Sequence, residues 1–441
     1  MWNKNCSKIY NYIYAINFML YHLNEFKKAA LWPAHMWSEM ATSLLDPLEK
    51  GHGSSYGQLF KASANMVERG TRVYAKPKFD IQGIQRDGHT LVIQEKSIAT
   101  KPFCSLLGFQ RKCARKKNPN TLKNDPVVLV VAPLSGHFAT LLRDTVRAMI
   151  PFHQTYITDW VDARTVPLRD GDFTLDHYVD YLLDFIRTLS NRHGRRIHLI
   201  AVCQPAVPVL MATSLMALYK EPWQPLSMTL MGGPIDTRVN PGKVNAFCKE
   251  HDMNWFRRHV ISEVPSYYPG AGRKVCPGFV LLSGFMNLNP GRHHEASSKL
   301  FQHLVQGDME EVEAHNRFYD EYRAVMDVPG NYFLDSIDHA FQRYSLPKGE
   351  MMWRGYPIHP EVIEKTGLMT VEGQLDDISC VGQTMAAHDL CSSLSKERKM
   401  SLTQEKVGHY GIFSGRRWRT MIQPHIAAFM REQEKFADEM I

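Results

Sequence analysis

The strongest constraint on the fold is a regular alternation of short apolar runs and amphipathic helical patterns between residues 126 and 233. The apolar runs are too short for helices and carry almost no charge, which is typical of strands buried on both faces. Strands that alternate with helices build a parallel sheet covered on both sides. The sequence therefore predicts an α/β core. The predicted strands cover 127–131, 196–202 and 226–231, and the predicted helices cover 174–189 and 205–219.

The alternation stops after Gly232-Gly-Pro234 and resumes with a strand pattern at 368–372. The intervening segment is rich in aromatic residues, His and Met and has helical patterns, so we interpret it as an inserted, largely helical cap. Upstream, Met19 to Val67 has a helical pattern, Asp87-Gly88 predicts a hairpin, and the basic run 111–117 predicts an exposed loop. The predicted division is an extension (1–18), a helical and hairpin region packing on the core (19–125), the core (126–239 and 365–441) and the cap (240–364).

Composition excludes several classes of protein. The 441 residues are 44% hydrophobic, which argues against disorder, and 52 Lys+Arg against 45 Asp+Glu give a surplus too small to favour nucleic acid as a partner. Eight cysteines without a Cys-x-x-Cys pair are typical of a cytoplasmic protein. The apolar stretch 9–23 is interrupted by Asn and His and is too short to span a membrane, and no secretory cleavage site follows it.

Cys203 is the candidate nucleophile. It lies in Ala201-Val-Cys-Gln-Pro205, where a predicted strand meets the next helix. The carboxyl ends of strands form the ligand crevice of an α/β sheet, and the N-terminus of the following helix favours a negative charge on the sulfur. A thiolate is the attacking form of cysteine. The alternative is that a cysteine ending a buried strand is only an apolar core residue.

Two later loops supply the groups that would activate such a thiol. Asp376 and Asp377 directly follow the strand at 368–372, where a carboxylate either orients a histidine or caps a helix. His409 lies in a late loop between two glycines. The order nucleophile, acid, histidine is the one in which α/β-hydrolases present their catalytic triad. We therefore predict an α/β-hydrolase fold with Cys203 and His409 in the triad and one of the two aspartates as the acid.

An acyl-transfer site also needs two N–H donors for the oxyanion. The residue after the nucleophile, Gln204, supplies the first candidate amide. The loop Pro133-Leu-Ser-Gly-His137 follows the strand at 127–131, and Ser135 is the candidate for the second amide. His137 either lines the pocket or supports it from behind.

Two other patterns in the sequence are not expected to form active sites. Gly53-Ser-Ser-Tyr-Gly57 matches the Gly-x-Ser-x-Gly pattern of serine hydrolases, but no buried strand precedes it, so Ser55 is not the expected nucleophile. Arg292-His-His-Glu295 lacks the second His, four residues along a helix, that a zinc site would use. We predict no metal.

Long segments of the sequence resemble the intracellular polyhydroxybutyrate (polyhydroxyalkanoate) depolymerases from Met19 to the C-terminus. These segments are 19–25, 132–143, 158–167, 201–205, 369–378 and 408–415. The resemblance implies an α/β-hydrolase whose usual serine is replaced by Cys203, with His409 as base. It places the acid on Asp376, the fourth residue of a Gly-x-x-Asp motif, in preference to Asp377.

The resemblance also implies a function: cleavage of the ester bonds of the storage polyester on amorphous granules in the cytoplasm. The partners would be the polymer and the granule surface, and no cofactor is expected, although coenzyme A is an alternative to water as acyl acceptor. Trp255 and Trp353 are candidates for binding the polyester, with ordinary packing inside the cap as the alternative role.

Two rival functions are open at this point. Polyester synthases also use a cysteine at this bend, but they typically have Gly-x-Cys-x-Gly, whereas Ala201 and Pro205 occupy the outer positions here. A granule-binding protein with an inactive hydrolase fold is the second rival.

Overall fold

The structure, a computed structural model, describes residues 3–45, 55–113 and 124–438. The strands are β1 (Gly83–Arg86), β2 (His89–Lys101), β3 (Cys104–Cys113), β4 (Val127–Val131), β5 (Gln154–Trp160), β6 (His198–Val202), β7 (Ser227–Met231), β8 (Ser262–Glu263), β9 (Lys274–Cys276), β10 (Val328–Pro329), β11 (Met352–Trp353), β12 (Tyr356–Pro357), β13 (Gly367–Gly373) and β14 (Lys399–Gln404).

The helices surround the sheet and form about half of the segment between β7 and β13. They are α1 (Asn3–Leu45), α2 (Ser55–Thr71), α3 (Arg143–Met149), α4 (Leu175–His193), α5 (Ala206–Leu218), α6 (Lys243–Glu250), α7 (Met253–His259), α8 (Gly278–Leu288), α9 (Pro290–Gln306), α10 (Met309–Arg323), α11 (Gly330–Ile337), α12 (Ala387–Leu390), α13 (Gly415–Arg417) and α14 (Gln423–Asp438).

A mostly parallel sheet forms the centre of the molecule. Its strands are arranged in the order β1-β2-β3-β5-β4-β6-β7-β13-β14. All neighbours from β5 to β14 pair in parallel, and β3 is antiparallel to both β2 and β5. This order, with the exchange of β4 and β5, is that of the α/β-hydrolase fold, so the predicted fold class is confirmed.

Burial explains why the central strands read as continuous apolar runs. Every residue of β4, β6, β7 and β13 is buried, because helices cover both faces of the sheet. Full burial of each large aliphatic side chain stabilises the fold by roughly 1.5–3 kcal/mol relative to exposure. On one face, α5 is itself buried over 206–216. The carboxyl ends of β6, β7 and β13 are therefore fixed relative to one another.

The cap between β7 and β13 contains helices α6 to α11 and a small antiparallel sheet of β8, β9 and β10. Its segment at Val325 forms a β-bridge with His137, directly after β4. The cap therefore contacts the loop that follows the first central strand.

The N-terminal helices differ in part from the predicted pattern. The helical pattern predicted over 19–67 corresponds to α1 and α2, and α1 also includes residues 3–18 without a break at Met19. The hairpin at Asp87-Gly88 is confirmed: both residues have a positive φ (50° and 76°) between β1 and β2. Of the basic run predicted as a loop, residues 111–113 belong to β3 and the remainder lies outside the described residues.

Within the described ranges, no helix combines the length and apolar character that crossing a membrane requires.

Asp327 is a buried carboxylic acid at the base of the cap. Its Oδ1 accepts a hydrogen bond of 2.8 Å from the backbone N–H of Gly278, where α8 begins. Its Oδ2 is buried and has no hydrogen-bond partner among the described residues. Burial raises the pKa of Asp327 to about 7, because the carboxylate form would be poorly solvated.

Asp327→Asn should therefore change how stability depends on pH. Because the folded-state pKa of Asp327 is raised, its favourable contribution is complete below pH about 4 and is lost as pH rises to about 7. The amide keeps the acceptor for Gly278 and does not ionise, so the variant should lack this loss, which is on the order of a few kcal/mol. Urea unfolding at pH 5 and pH 8 measures the effect. An equal pH dependence in both proteins would contradict the prediction.

Candidate active site

Cys203 lies at a strained turn between β6 and α5. Its φ is +68°, a left-handed conformation that costs a residue other than glycine about 1–3 kcal/mol. The backbone N–H of Cys203 donates a 2.7 Å hydrogen bond to the carbonyl oxygen of Met231 at the end of β7. The side chain is half-buried, so the sulfur is not sealed in the core. This is the geometry of the strand-to-helix turn that carries the nucleophile in α/β-hydrolases.

His409 and Asp376 form a buried hydrogen-bonded pair. His409 follows β14 and Asp376 follows β13, and these two strands are parallel neighbours. His409 Nδ1 donates to Asp376 Oδ2 at 2.7 Å, and both side chains are almost fully buried. The other carboxylate oxygen accepts backbone N–H bonds of 2.9 Å from Ile378 and Ser379. Asp376 is thereby fixed as an acceptor for the imidazole.

The sulfur of Cys203 is near enough to this imidazole to influence its charge. Burial by itself lowers the pKa of His409, but the charges and hydrogen bonds of Asp376 and Cys203 outweigh burial and raise this pKa well above 6.5. Because Nδ1 is bonded to Asp376, Nε2 is the ring nitrogen available to the thiol. The three side chains can thus pass a proton from sulfur to imidazole while the carboxylate stabilises the resulting cation.

Two glycines make this convergence sterically feasible. A β-carbon on Gly232, where φ is +56°, would lie 3.2 Å from His409 Cε1 and 3.3 Å from Asp376 Oδ2. A β-carbon on Gly233 would lie 2.9 Å from the carbonyl oxygen of Cys203. In the sequence, these glycines are recognisable only as the end of a strand pattern. Their position after β7, the neighbour of β6, is what could have indicated that they belong to the site.

A polar network connects β13, the strand before Asp376, to Gly233, which packs against the Cys203 turn. Glu372 on β13 is buried, and its carboxylate accepts backbone N–H bonds of 2.8–3.0 Å from Gly382, Thr384 and Met385. The Thr384 hydroxyl accepts a 2.8 Å bond from the N–H of Gly233 and donates a 3.0 Å bond to its carbonyl oxygen. The sequence pattern alone gives no sign of this network.

Gln204 holds the loop that follows β4. Its side-chain Oε1 accepts a 3.2 Å bond from the backbone N–H of Leu134, and its Nε2 donates a 3.0 Å bond to Ser336 Oγ on α11. The amide of Leu134 is therefore occupied by the protein itself. The next amide along the loop, that of the half-buried Ser135, is still the candidate donor to an oxyanion, together with the backbone N–H of Gln204.

His137 is buried behind this loop. One ring nitrogen is 3.1 Å from the carbonyl oxygen of Tyr322, and the ring packs at 5.1–5.2 Å from those of Phe285 and Tyr322. Burial lowers its pKa to about 4, so the ring is neutral at physiological pH. Its contacts are those of a residue that supports the wall of the site.

A narrow cleft lies beside Tyr410, the residue that follows His409 in the sequence. About 30 Å³ of it is accessible to a water-sized molecule, and its lining also includes Tyr322, Asp377 and Arg292. Burial, Tyr322 and Cys203 together raise the pKa of Tyr410 well above 10, which keeps this residue a neutral phenol. Neither tyrosine is singled out by the sequence pattern.

The two tryptophans predicted to bind substrate have their contacts elsewhere. Trp255 packs among aromatic residues of α6 and α7, including Phe247 and His259, and Trp353 donates a 3.1 Å hydrogen bond to Asp180 on α4. These contacts do not join either residue to the triad, and their role in substrate binding stays a prediction.

The serine-hydrolase pattern and the zinc pattern of the sequence do not lie at the candidate site. Gly53 and Ser54 of the Gly-x-Ser-x-Gly match lie outside the described residues, and Ser55 begins α2 and not a turn after a central strand. In Arg292-His-His-Glu295, the segment considered as a zinc site, His293 has a ring nitrogen 3.0 Å from the Tyr319 hydroxyl. In the described part of the chain, no group of three or more His, Cys, Asp or Glu side chains is placed to hold a metal ion.

The strand order and the cysteine turn define an α/β-hydrolase. Within this class, residues 232–434 match the family described as "PHB de-polymerase C-terminus". This part of the chain contains Asp376 and His409, and the predicted relationship to polyhydroxybutyrate depolymerases is confirmed over these residues. The match supports an ester hydrolase.

Comparison with solved structures gives hydrolases of low sequence identity. A hydrolase from Pseudomonas aeruginosa PA01 has 12% identity and a TM-score of 0.44, with 77% of this chain and 98% of that chain covered. The 2-hydroxy-6-oxo-6-phenylhexa-2,4-dienoate hydrolase of Rhodococcus sp. strain RHA1 has 11% identity and a TM-score of 0.40, with coverage of 77% and 99%. The naproxen esterase of Bacillus subtilis has 10% identity and a TM-score of 0.40, with coverage of 86% and 99%. None of the curated proteins compared with the chain matches it.

Asp376→Asn should reduce the turnover of a short activated ester on the order of 10³–10⁴-fold, because an amide NH₂ facing Nδ1 would hold His409 in the wrong tautomer. Asp377→Asn is the matched control. Asp377 is only half-buried beside the cleft and is not the hydrogen-bond partner of His409, so its replacement should cost less than about tenfold. Steady-state kinetics of both variants measure the difference. If Asp377→Asn lost more turnover than Asp376→Asn, Asp377 would be assigned as the acid of the triad.

Proposed function

We propose that the protein is a depolymerase that cleaves the ester bonds of poly(3-hydroxybutyrate) in cytoplasmic storage granules. The observation that carries this proposal is the convergence of Cys203 with the His409–Asp376 pair at the carboxyl ends of β6, β13 and β14. The family match over residues 232–434 supports the polymer as substrate.

In the proposed acylation step, His409 Nε2 takes the proton of the Cys203 thiol as the sulfur attacks the ester carbonyl carbon. The carbonyl oxygen becomes an oxyanion, and the backbone N–H groups of Gln204 and Ser135 donate hydrogen bonds to it. When the carbon–oxygen ester bond breaks, the leaving alkoxide takes the proton from His409 and departs as the hydroxyl end of a shortened chain. The 3-hydroxyacyl group stays on sulfur as a thioester.

The second step regenerates the thiol. His409 removes a proton from water, the resulting hydroxide attacks the thioester carbonyl, and the sulfur leaves and is reprotonated by His409. A 3-hydroxycarboxylic acid is released. If the acceptor were coenzyme A, its thiol would take the place of water and the product would be a 3-hydroxyacyl thioester. Product analysis of wild-type reactions with and without coenzyme A separates these two acceptors.

Cys203→Ala should abolish release of 3-hydroxybutyrate from native amorphous granules, because no other nucleophile is placed beside His409 in the proposed mechanism. Circular dichroism and thermal unfolding should show that the fold is kept, since alanine is smaller than cysteine and meets the same backbone strain at this position. If the variant cleaved granules at the wild-type rate, the assignment of Cys203 as the nucleophile would be wrong. A wild-type protein that associates with granules without cleaving them would favour the non-catalytic alternative, and polymer made from 3-hydroxybutyryl-CoA would favour the synthase alternative.

Gln204→Met tests the oxyanion arrangement. Methionine has a similar shape but can make neither the bond to the Leu134 N–H nor the bond to Ser336, so the loop that carries Ser135 should lose its fixed position. We expect kcat to fall roughly 10–100-fold with a much smaller change in KM, since an oxyanion donor acts mainly in the transition state. Gln204→Glu, which keeps the acceptor for Leu134, should retain more activity. A rise in KM at constant kcat would contradict this role.

A further inference from the structure

Helix α8 has an unusual composition for a helix at the surface. None of its eleven residues, Gly-Phe-Val-Leu-Leu-Ser-Gly-Phe-Met-Asn-Leu, is charged. Its exposed side is formed by Ser283, Gly284 and Asn287, and apolar side chains cover the rest of its circumference. Of the eleven residues only Gly278 is buried, and all the large apolar side chains are half-buried. An uncharged helix whose apolar side chains are only half-buried is a candidate contact surface.

One side of α8 belongs to the site already described. Leu281 lies against Gly136 in the loop that carries Ser135, and Phe285 packs on His137. Phe285 and Leu288 line the cleft beside Tyr410. The apolar surface of α8 is therefore continuous with the cleft beside Tyr410, the residue that follows His409.

A second stripe of the helix is not part of the cleft. Leu282 and Met286 are four residues apart and lie on one side of the helix, next to the stripe formed by Leu281, Phe285 and Leu288. They are partly exposed and do not line the cleft. Together the two stripes form an uncharged apolar band that runs from the surface into the site.

The cleft is small: about 30 Å³ of it is accessible to a water-sized molecule, and Phe285 and Leu288 of α8 form part of its wall. Among the wall helices α8, α9 and α10, α8 has the fewest buried side chains, since its one buried residue is Gly278. Elements with few buried side chains are among the least stable parts of a fold.

We propose that α8 is the polymer-contact element of the enzyme, and that its apolar band binds an amorphous polyester chain and guides it to Cys203. This inference rests on the proposed depolymerase function. The commitment to the polyester follows from chemistry: an uncharged ester chain with methyl side groups loses no ionic hydration when it meets a helix without charges. Two alternative occupants, a second copy of this chain and a lipid surface, are outcomes of the test.

The test uses the double variant Leu282→Gln/Met286→Gln. Glutamine is a good helix former of similar length, so the helix should be kept while its apolar stripe is lost. The matched control is Val92→Gln/Tyr219→Gln, which removes two apolar side chains that are 46% and 56% exposed on β2 and at the end of α5. Both double variants are compared with wild type for cleavage of native granules and of a water-soluble 3-hydroxybutyrate trimer. Sedimentation with granules is measured in a Cys203→Ala background.

We expect the α8 variant to lose roughly tenfold in granule cleavage and in granule binding, relative to its activity on the trimer, and the control to lose neither. Equal losses on granules and trimer, or a loss shared by the control, would overturn the proposal. A change of oligomeric state of the α8 variant in analytical ultracentrifugation would also overturn it and would assign α8 to a contact between copies of the chain. If the α8 variant still bound granules but no longer bound phosphatidylglycerol vesicles, α8 would be assigned to a lipid surface. Failure of wild type to cleave either substrate would instead overturn the proposed function.

Discussion

The backbone of Cys203 is the constraint on which the site depends. A left-handed conformation at a cysteine is unfavourable and persists only because its surroundings enforce it. The hydrogen bond from its N–H to Met231 fixes the turn to the neighbouring strand, and Gly233 leaves room for its carbonyl oxygen. The turn ends β6, and α5 begins after only two more residues. In the proposed mechanism, the His409–Asp376 pair is effective only because the turn holds Cys203 in place.

Much of the architecture can be read from the sequence because burial leaves a clear pattern. β4, β6, β7 and β13 are apolar throughout, and their order with the intervening helices identifies a parallel sheet. Strands β3, β5 and β14 were not predicted. In β5 the buried Thr158 interrupts the apolar run. A hydroxyl is tolerated there because it accepts a hydrogen bond from the backbone N–H of Ala132. In β14, at the edge of the sheet, several side chains are exposed and the pattern is weak.

The candidate triad was predictable because parallel strands place their following residues at one edge of the sheet. Cys203, Asp376 and His409 each follow such a strand, and the structure brings them together although their catalytic roles stay a prediction. Gln204 was predicted only as a backbone donor, and the contacts of its side chain could not be predicted in this way, nor could the positions of Tyr322 and Tyr410. These side-chain contacts join segments that are far apart in sequence, and they depend on how the cap packs. Gln204 illustrates this, because it bonds simultaneously to the loop after β4 and to α11 in the cap.

The buried carboxylate of Glu372 has a consequence for how this sequence can vary over time. Three main-chain N–H groups depend on this one side chain, and Thr384 extends the same network to Gly233 at the nucleophile turn. Each donor would cost about 1–3 kcal/mol if left without an acceptor. The donors are main-chain groups that every residue except proline supplies, so any residue that replaces Glu372 has to supply an acceptor for all three. The constraint on variation therefore falls on position 372 and on the hydroxyl at 384.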